Sequence, residues 1–179
     1  MKVKSVFLIS SFVLLGILIL ITSSCKKDNN TNNNSFEYYF NYDGKSYQLN
    51  KGILISYGPI GQISYEFDLC LYSGVTIINV DSILGKGCYI VINLRSNATT
   101  LSPGSYPMVD SGYASFTSGG GKFVTNWDSA LEDQQFIYIK SGLNEVISVS
   151  GDQIEISFDL VSTEGKNVSG YYKGKVQPF

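Results

Sequence analysis

The chain has 179 residues, with 13 lysines and arginines against 15 aspartates and glutamates, and it contains no histidine. Without imidazole there is no Ser-His-Asp or Cys-His catalysis, no ordinary histidine zinc site and no histidine acid or base. The formal charge of −2 falls to −4 once Lys2 and Lys4 are set aside, and no basic cluster follows residue 27, which excludes a nucleic-acid partner.

The first element is a leader. Lys2 and Lys4 precede an apolar run from Val6 to Ile21, interrupted by Ser10, Ser11 and Gly16. A charged start followed by an apolar stretch is the layout of a secretory signal. The run ends in Ile21-Thr22-Ser23-Ser24-Cys25 and then Lys26-Lys27-Asp28, which resembles the lipobox of bacterial lipoproteins. The resemblance implies a signal peptide over residues 1–24 and a diacylglyceryl group on the Cys25 thiol, with palmitate-like acyl chains holding the mature chain to a membrane of the cell envelope, the outer membrane being the expected one. Two or more chains give firm attachment where one gives marginal binding. The alternative is a transmembrane anchor, because the run approaches bilayer-spanning length.

Residues 26–35, Lys-Lys-Asp-Asn-Asn-Thr-Asn-Asn-Asn-Ser, carry no apolar side chain and cannot offset the entropy of ordering. With Cys25 they form an expected tether spanning about 17 Å on average. Residues 36–179 then form one domain by size.

From Phe36 onward apolar and polar residues alternate, and the apolar set is rich in Tyr, Phe, Ile and Val, as a pleated, half-buried surface requires. A hairpin is predicted around Asp43-Gly44, with Phe36, Tyr38 and Phe40 leading in and Tyr47 and Leu49 leading out. Strands are expected over 53–57 and 63–72, joined at Gly58-Pro59-Ile60-Gly61. An excursion from Ser73 to Gly87 holds a short strand over 75–80, and 88–94 returns. A corner at Leu101-Ser102-Pro103-Gly104-Ser105-Tyr106 and a flexible loop tip at Ser118–Gly121 follow. Asp128 to Gln134 is the only stretch able to make a helical turn, capped by Asp128. The last third reads as strands 145–149, 153–161 and 168–176; Ile154, Ile156, Phe158 and Leu160 mark a strand with one buried face.

About ten short strands at this spacing predict an all-β fold, a two-sheet antiparallel β-sandwich with a calycin-like β-barrel as the alternative. The segments "YDGKSYQL", "LSPGSY" and "GDQIEISFDLVSTEGKNVSGYYKGKV" resemble a family of uncharacterised β-sandwich lipoproteins of Bacteroidota. The resemblance covers most of the mature chain, and because its motifs are turns and strands it implies a fold and no activity.

Few residues offer chemistry. Cys70 shares a strand face with Glu66 and Asp68, whereas Cys88 shares one with Ile90, Ile92 and Leu94, so a Cys70–Cys88 disulfide is disfavoured if the two faces are opposite sides of one sheet. Glu66 and Asp68 project about 7 Å apart, within the range of paired glycosidase carboxylates, with a solvated strand face as the alternative. Asp128, Glu132 and Asp133 lack the alternating ligands of a calcium loop, and no cofactor or metal is expected. The aromatic content, one Trp, 13 Tyr and 10 Phe, exceeds what a single core needs. Trp127, Tyr106, Tyr113 and Phe116 lie in turn-rich sequence and are the candidate ligand-binding residues, against the alternative that they plug the core. Asp81-Ser82-Ile83 and Asp128-Ser129-Ala130 resemble an O-glycosylation acceptor motif of exported proteins in the same bacteria, which makes Ser82 and Ser129 candidate glycan sites.

Together these features suggest a non-enzymatic, membrane-anchored binding or adhesion module for a glycan or an envelope protein. The alternatives are a structural subunit of an envelope or fimbria-like assembly, a carboxylate-dependent glycan hydrolase using Glu66 and Asp68, and a barrel holding an apolar ligand in an internal cavity.

Overall fold

The computed structural model describes residues 37–179 apart from 80, 81, 132 and 133. The leader, Cys25, the tether, Phe36, Val80, Asp81, Glu132 and Asp133 lie outside the described residues. Within them the fold is all-β, with ten strands: β1 Tyr39–Tyr42, β2 Lys45–Gln48, β3 Lys51–Ile60, β4 Ser64–Asn79, β5 Ser82–Ser96, β6 Gly104–Pro107, β7 Thr117–Asp128, β8 Ile137–Ser150, β9 Gln153–Ser162 and β10 Asn167–Pro178.

Seven of these close into a barrel in the order β3-β4-β5-β7-β8-β9-β10, and β10 returns to β3. The barrel alternative therefore holds, and the two-sheet sandwich is corrected. Closure depends on a parallel pairing of Val176, Gln177 and Pro178 with Gly52, Ile53 and Leu54, which joins the two ends of the domain. A β-carbon on Gly52 would sit 2.7 Å from Val176 Cγ1, so glycine lets this seam shut. The remaining strands are additions: β1 and β2 hang on β10, and β6 on β8. Every pairing between these strands except β10–β3 is antiparallel, and an isolated parallel bridge joins Met108 to Ser118.

Alternation along each strand sends one set of side chains inward. Phe67, Leu69 and Leu71 of β4, Ile90, Ile92 and Leu94 of β5, and Ile154, Ile156, Phe158 and Leu160 of β9 fill the interior with Tyr106 and Phe123. Side chains occupy this space as they do in small barrels generally. A second, smaller cluster lies on the opposite face of β3, β4, β5 and β7 and contains Ile53, Ile55, Cys70, Tyr72, Val75, Tyr89 and Val124. Cys88 belongs to the inner cluster and Cys70 to the outer one; both thiols are buried and free.

Local expectations divide. The first hairpin turns at Asp43 and Gly44, both with positive φ (51° and 74°), the tight turn its sequence predicts. The expected excursion from Ser73 to Gly87 is instead one long hairpin, β4–β5, bent by bulges near Gly74. Likewise Gly58, with φ 83°, adjoins a bulge at Tyr57 inside β3 and pairs with Glu66, rather than starting a turn. Ser118–Gly121 is no loop tip: it lies in β7, paired with Asn93, Ile92 and Leu94 of β5. Its glycines answer to crowding, since a β-carbon on Gly121 would stand 2.3 Å from the Val91 carbonyl oxygen and one on Gly119 would stand 2.4 Å from the Arg95 guanidinium. No helix occurs among the described residues; Asp128 still caps its turn, accepting from the Ala130 amide at 3.1 Å.

Candidate functional site

The outer cluster is incompletely covered. A groove of about 400 Å³ opens over it, floored by Ile55, Cys70, Tyr89 and Val91 and walled by Ile77 and Ile83 on one side and Trp127 and Phe136 on the other. Tyr57, Asp68 and Lys122 form its polar margin.

Register explains the floor. Ile53, Cys70, Val91 and Lys122 stand abreast across β3, β4, β5 and β7, and Asp68 stands abreast of Asn93 one step along. The walls come from two devices. At the first, β4 and β5 cross closely where a β-carbon on Gly87 would lie 2.0 Å from the Ser73 carbonyl oxygen, and Gly74 has φ +77° with the Lys86 carbonyl 2.4 Å from where its own β-carbon would be. Only glycines permit this approach; beyond it the hairpin carries Ile77 and Ile83 to the groove. At the second, Trp127 on β7 stacks on Phe136 with ring centroids 6.0 Å apart and donates its indole N–H to the Ile83 carbonyl at 3.3 Å, tying the two walls together. Ser129 adds a pair of contacts to Gly85, its hydroxyl accepting from the amide and its amide donating to the carbonyl, both at 3.0 Å.

Tyr89 lies at the bottom, 1% exposed, with its ring edge-on to both Trp127 and Phe136. Its hydroxyl is buried without a hydrogen-bond partner among the described residues, an arrangement that costs about 1–3 kcal/mol. Burial pushes its pKa up, with the neighbouring Cys70 thiol adding to the shift. Cys70 itself is pushed up to about 12 by burial and then by Asp68, with Lys122 acting in the opposite sense. This thiol is protonated and unreactive at neutral pH.

On the margin, Asp68 accepts from the Tyr57 hydroxyl at 3.0 Å through one oxygen and from the Asn93 side-chain amide at 3.1 Å through the other. The Tyr57 pKa is pushed up to about 12, chiefly by desolvation and then by the Asp68 carboxylate. Lys122 holds its ammonium 4.5 Å from the Phe136 ring centroid, a cation–π placement. It makes no ion pair among the described residues, whereas Lys86 is paired with Asp128 at 2.7 Å and Arg95 with Glu66 at 3.7 Å.

Of the sequence-predicted ligand residues, only Trp127 lines this groove. Tyr106 is fully buried in the barrel interior, donates to the Ser102 carbonyl at 2.6 Å and packs its ring 5.6 Å from that of Phe116, so it offers no face to a ligand. Tyr113 is 56% exposed and lies against the Arg95 guanidinium, away from Trp127's wall. These four aromatics do not form one platform. Glu66 and Asp68 share the outer face as expected, yet Glu66 faces Arg95 and both Asp68 oxygens accept hydrogen bonds, so neither carboxylate is presented as an acid–nucleophile pair. Ser82 begins β5, and Ser129 follows β7 in a turn. Sequence reasoning missed Tyr89, Lys122 and Phe136; the apolar residues on both faces of the "GCYIVINLRS" strand were the available signal that its outer side is also covered.

Compared with protein-family models, with curated proteins and with solved structures, the chain finds no match.

Proposed function

We propose that the domain is a non-enzymatic binding module, held to the bacterial envelope by lipid on Cys25, which takes a small molecule with an apolar body into the outer-face groove. The observation that carries this is the groove: about 400 Å³, floored and walled by apolar and aromatic side chains with a few polar groups at one margin. Those are the size and lining of small-molecule sites. The alternative depression, about 550 Å³ between Leu54, Leu101, Ile154 and Phe179, has no buried, unpartnered polar side-chain atom among its described lining residues. The filled barrel interior moves the apolar-ligand idea from inside the barrel to its outer face, and a flat sugar ring on Trp127 becomes the lesser reading, because that indole is already stacked on Phe136 and packed edge-on against Tyr89.

Trp127 is the sole tryptophan of the chain and so reports from the groove wall. A panel of apolar small molecules and of glycans, screened by Trp127 emission and by melting temperature, tests the proposal. Ligand at 100 times its Kd adds about 2.7 kcal/mol. Saturable emission changes with the apolar set, coupled to a raised melting temperature, are expected. A response confined to glycans, or to neither set, overturns the proposal. Attachment is tested separately: labelled palmitate enters the wild-type chain and not Cys25→Ser.

A further inference from the structure

Resting on the groove assigned above, we propose that its ligand is an amphipathic carboxylate, whose head is held between the Lys122 ammonium and the Tyr89 hydroxyl and whose apolar body runs toward Trp127, Ile77 and Ile83. Two unanswered donors line the groove, on side chains that both pack against the Phe136 ring. Tyr89 is 1% exposed, and its buried hydroxyl donates to nothing among the described residues. Lys122 has three N–H donors, stands abreast of Val91 and Cys70 on the groove floor, and is held over the Phe136 ring. Both groups neighbour Cys70, which carries no charge at neutral pH.

Among the groove's own lining residues the one other charge, Asp68, is answered; Arg95, whose Nε and Nη1 are buried without a hydrogen-bond partner among the described residues, lies outside that lining. Arg95 faces Glu66 and Lys86 pairs with Asp128, while Asp68 is solvated on both oxygens by Tyr57 and Asn93. What remains within the groove lining is one cation and one hydroxyl proton, a donor pair that complements a group with two acceptor oxygens and a negative charge. A carboxylate supplies that with no oxygen left over, unlike a phosphate. A charge-assisted bond to a carboxylate in a site with aromatic walls is stronger than a neutral one.

The experiment titrates the full chain with decanoate, decanol and decylamine below their micelle concentrations at neutral pH, following Trp127 emission. Decanoate is expected to bind at least about tenfold more tightly than decanol. Lys122→Met should erase that preference; Lys122→Arg should preserve it, and Tyr89→Phe should weaken decanoate several-fold. Equal affinity for decanoate and decanol sinks the carboxylate head while leaving an apolar binding groove intact. Tighter binding of decylamine overturns it in favour of Asp68 as the head-group partner, and a preference surviving Lys122→Met removes Lys122. No saturable response to any of the three overturns both this inference and the groove as a small-molecule site.

Discussion

A tyrosine buried in a β-barrel ordinarily donates to a nearby carbonyl, as Tyr106 does to Ser102 at 2.6 Å and Tyr172 to Lys175 at 2.7 Å. Tyr89 has no such partner. Replacing a buried, unpaired hydroxyl by hydrogen removes a desolvated polar group and leaves the ring contacts with Trp127 and Phe136 in place. Tyr89→Phe is therefore expected to stabilise the domain by about 1 kcal/mol in urea unfolding, whereas Tyr106→Phe, which abandons a carbonyl acceptor, should destabilise it by a similar amount. A loss of stability in Tyr89→Phe would mean that the hydroxyl is paired in the folded protein. A residue that weakens the free fold and strengthens the liganded one marks a binding site. At this scale the sequence carried half the information. Trp127 could be singled out because it is unique, but Tyr106 and Tyr89 look alike in a string where both strand faces carry apolar residues, and only the closed barrel separates an interior ring from a groove floor.

The groove is made by the way β4 and β5 cross. Gly87 and Gly74 let the two backbones approach until the far half of the hairpin lies beside Trp127, and Gly85 contributes a positive φ of 93° in the same bend. Gly87→Ala would place a methyl group 2.0 Å from the Ser73 carbonyl oxygen, a backbone atom that cannot swing away. A destabilisation of about 3 kcal/mol is expected, together with loss of the Trp127 response to ligand as Ile77 and Ile83 move. Gly44→Ala is the comparison, since its φ of +74° is strained but nothing lies within 4 Å of the new methyl. It should cost about 1 kcal/mol and leave ligand binding untouched. Equal effects of the two substitutions would mean that the Ser73 backbone gives way to the new methyl and that no close crossing constrains Gly87, whose own φ lies outside the left-handed region. Such crossings also explain where the element boundaries escaped prediction. Glycine in a sequence reads as a turn, and it does mark one at Asp43-Gly44, but at Gly58, Gly74 and Gly119–Gly121 it serves bulges and tight packing inside long strands.

For the molecule as a whole, the strand count and the closing meander were legible because period-two patterning survives in any β architecture. Sandwich against barrel was not, since it turns on three parallel pairs between Gly52–Leu54 and Val176–Pro178, which no local pattern encodes. Closure leaves the added strands β2 and β6 short, four residues each, with Lys45 on one and Pro107 on the other, features that discourage strand addition by a partner chain. Folding also buries groups, inside the barrel and under its outer cluster, whose ionisation would oppose it. Burial pushes the Cys88 thiol up to about 11 and the Cys70 thiol up to about 12, from 9.0. Tyr172 is pushed up to about 12 from 10.0 by burial first, with Tyr72 and Tyr38 adding to it. In each case the folded pKa lies above the unfolded one, so the native state holds its proton longer and the stabilisation is complete below pH 9. It is then lost as pH rises through 9 toward 12, the unfolded thiols ionising first and the phenols about one unit later. On the acid side the lowered groups, Glu155 held down by the Tyr171 hydroxyl and Glu164 by that of Tyr42, act in the opposite sense, and being shallowly placed they have little influence. The melting temperature is therefore expected to be flat from about pH 6 to pH 8.5 and to fall steeply above pH 9. In a Cys70→Ala, Cys88→Ala double variant the fall should begin about one unit later, where only the phenols remain to titrate. An onset unmoved by the double substitution would show that these two thiols ionise as readily in the folded protein as in the unfolded chain, and that neither is shielded from solvent.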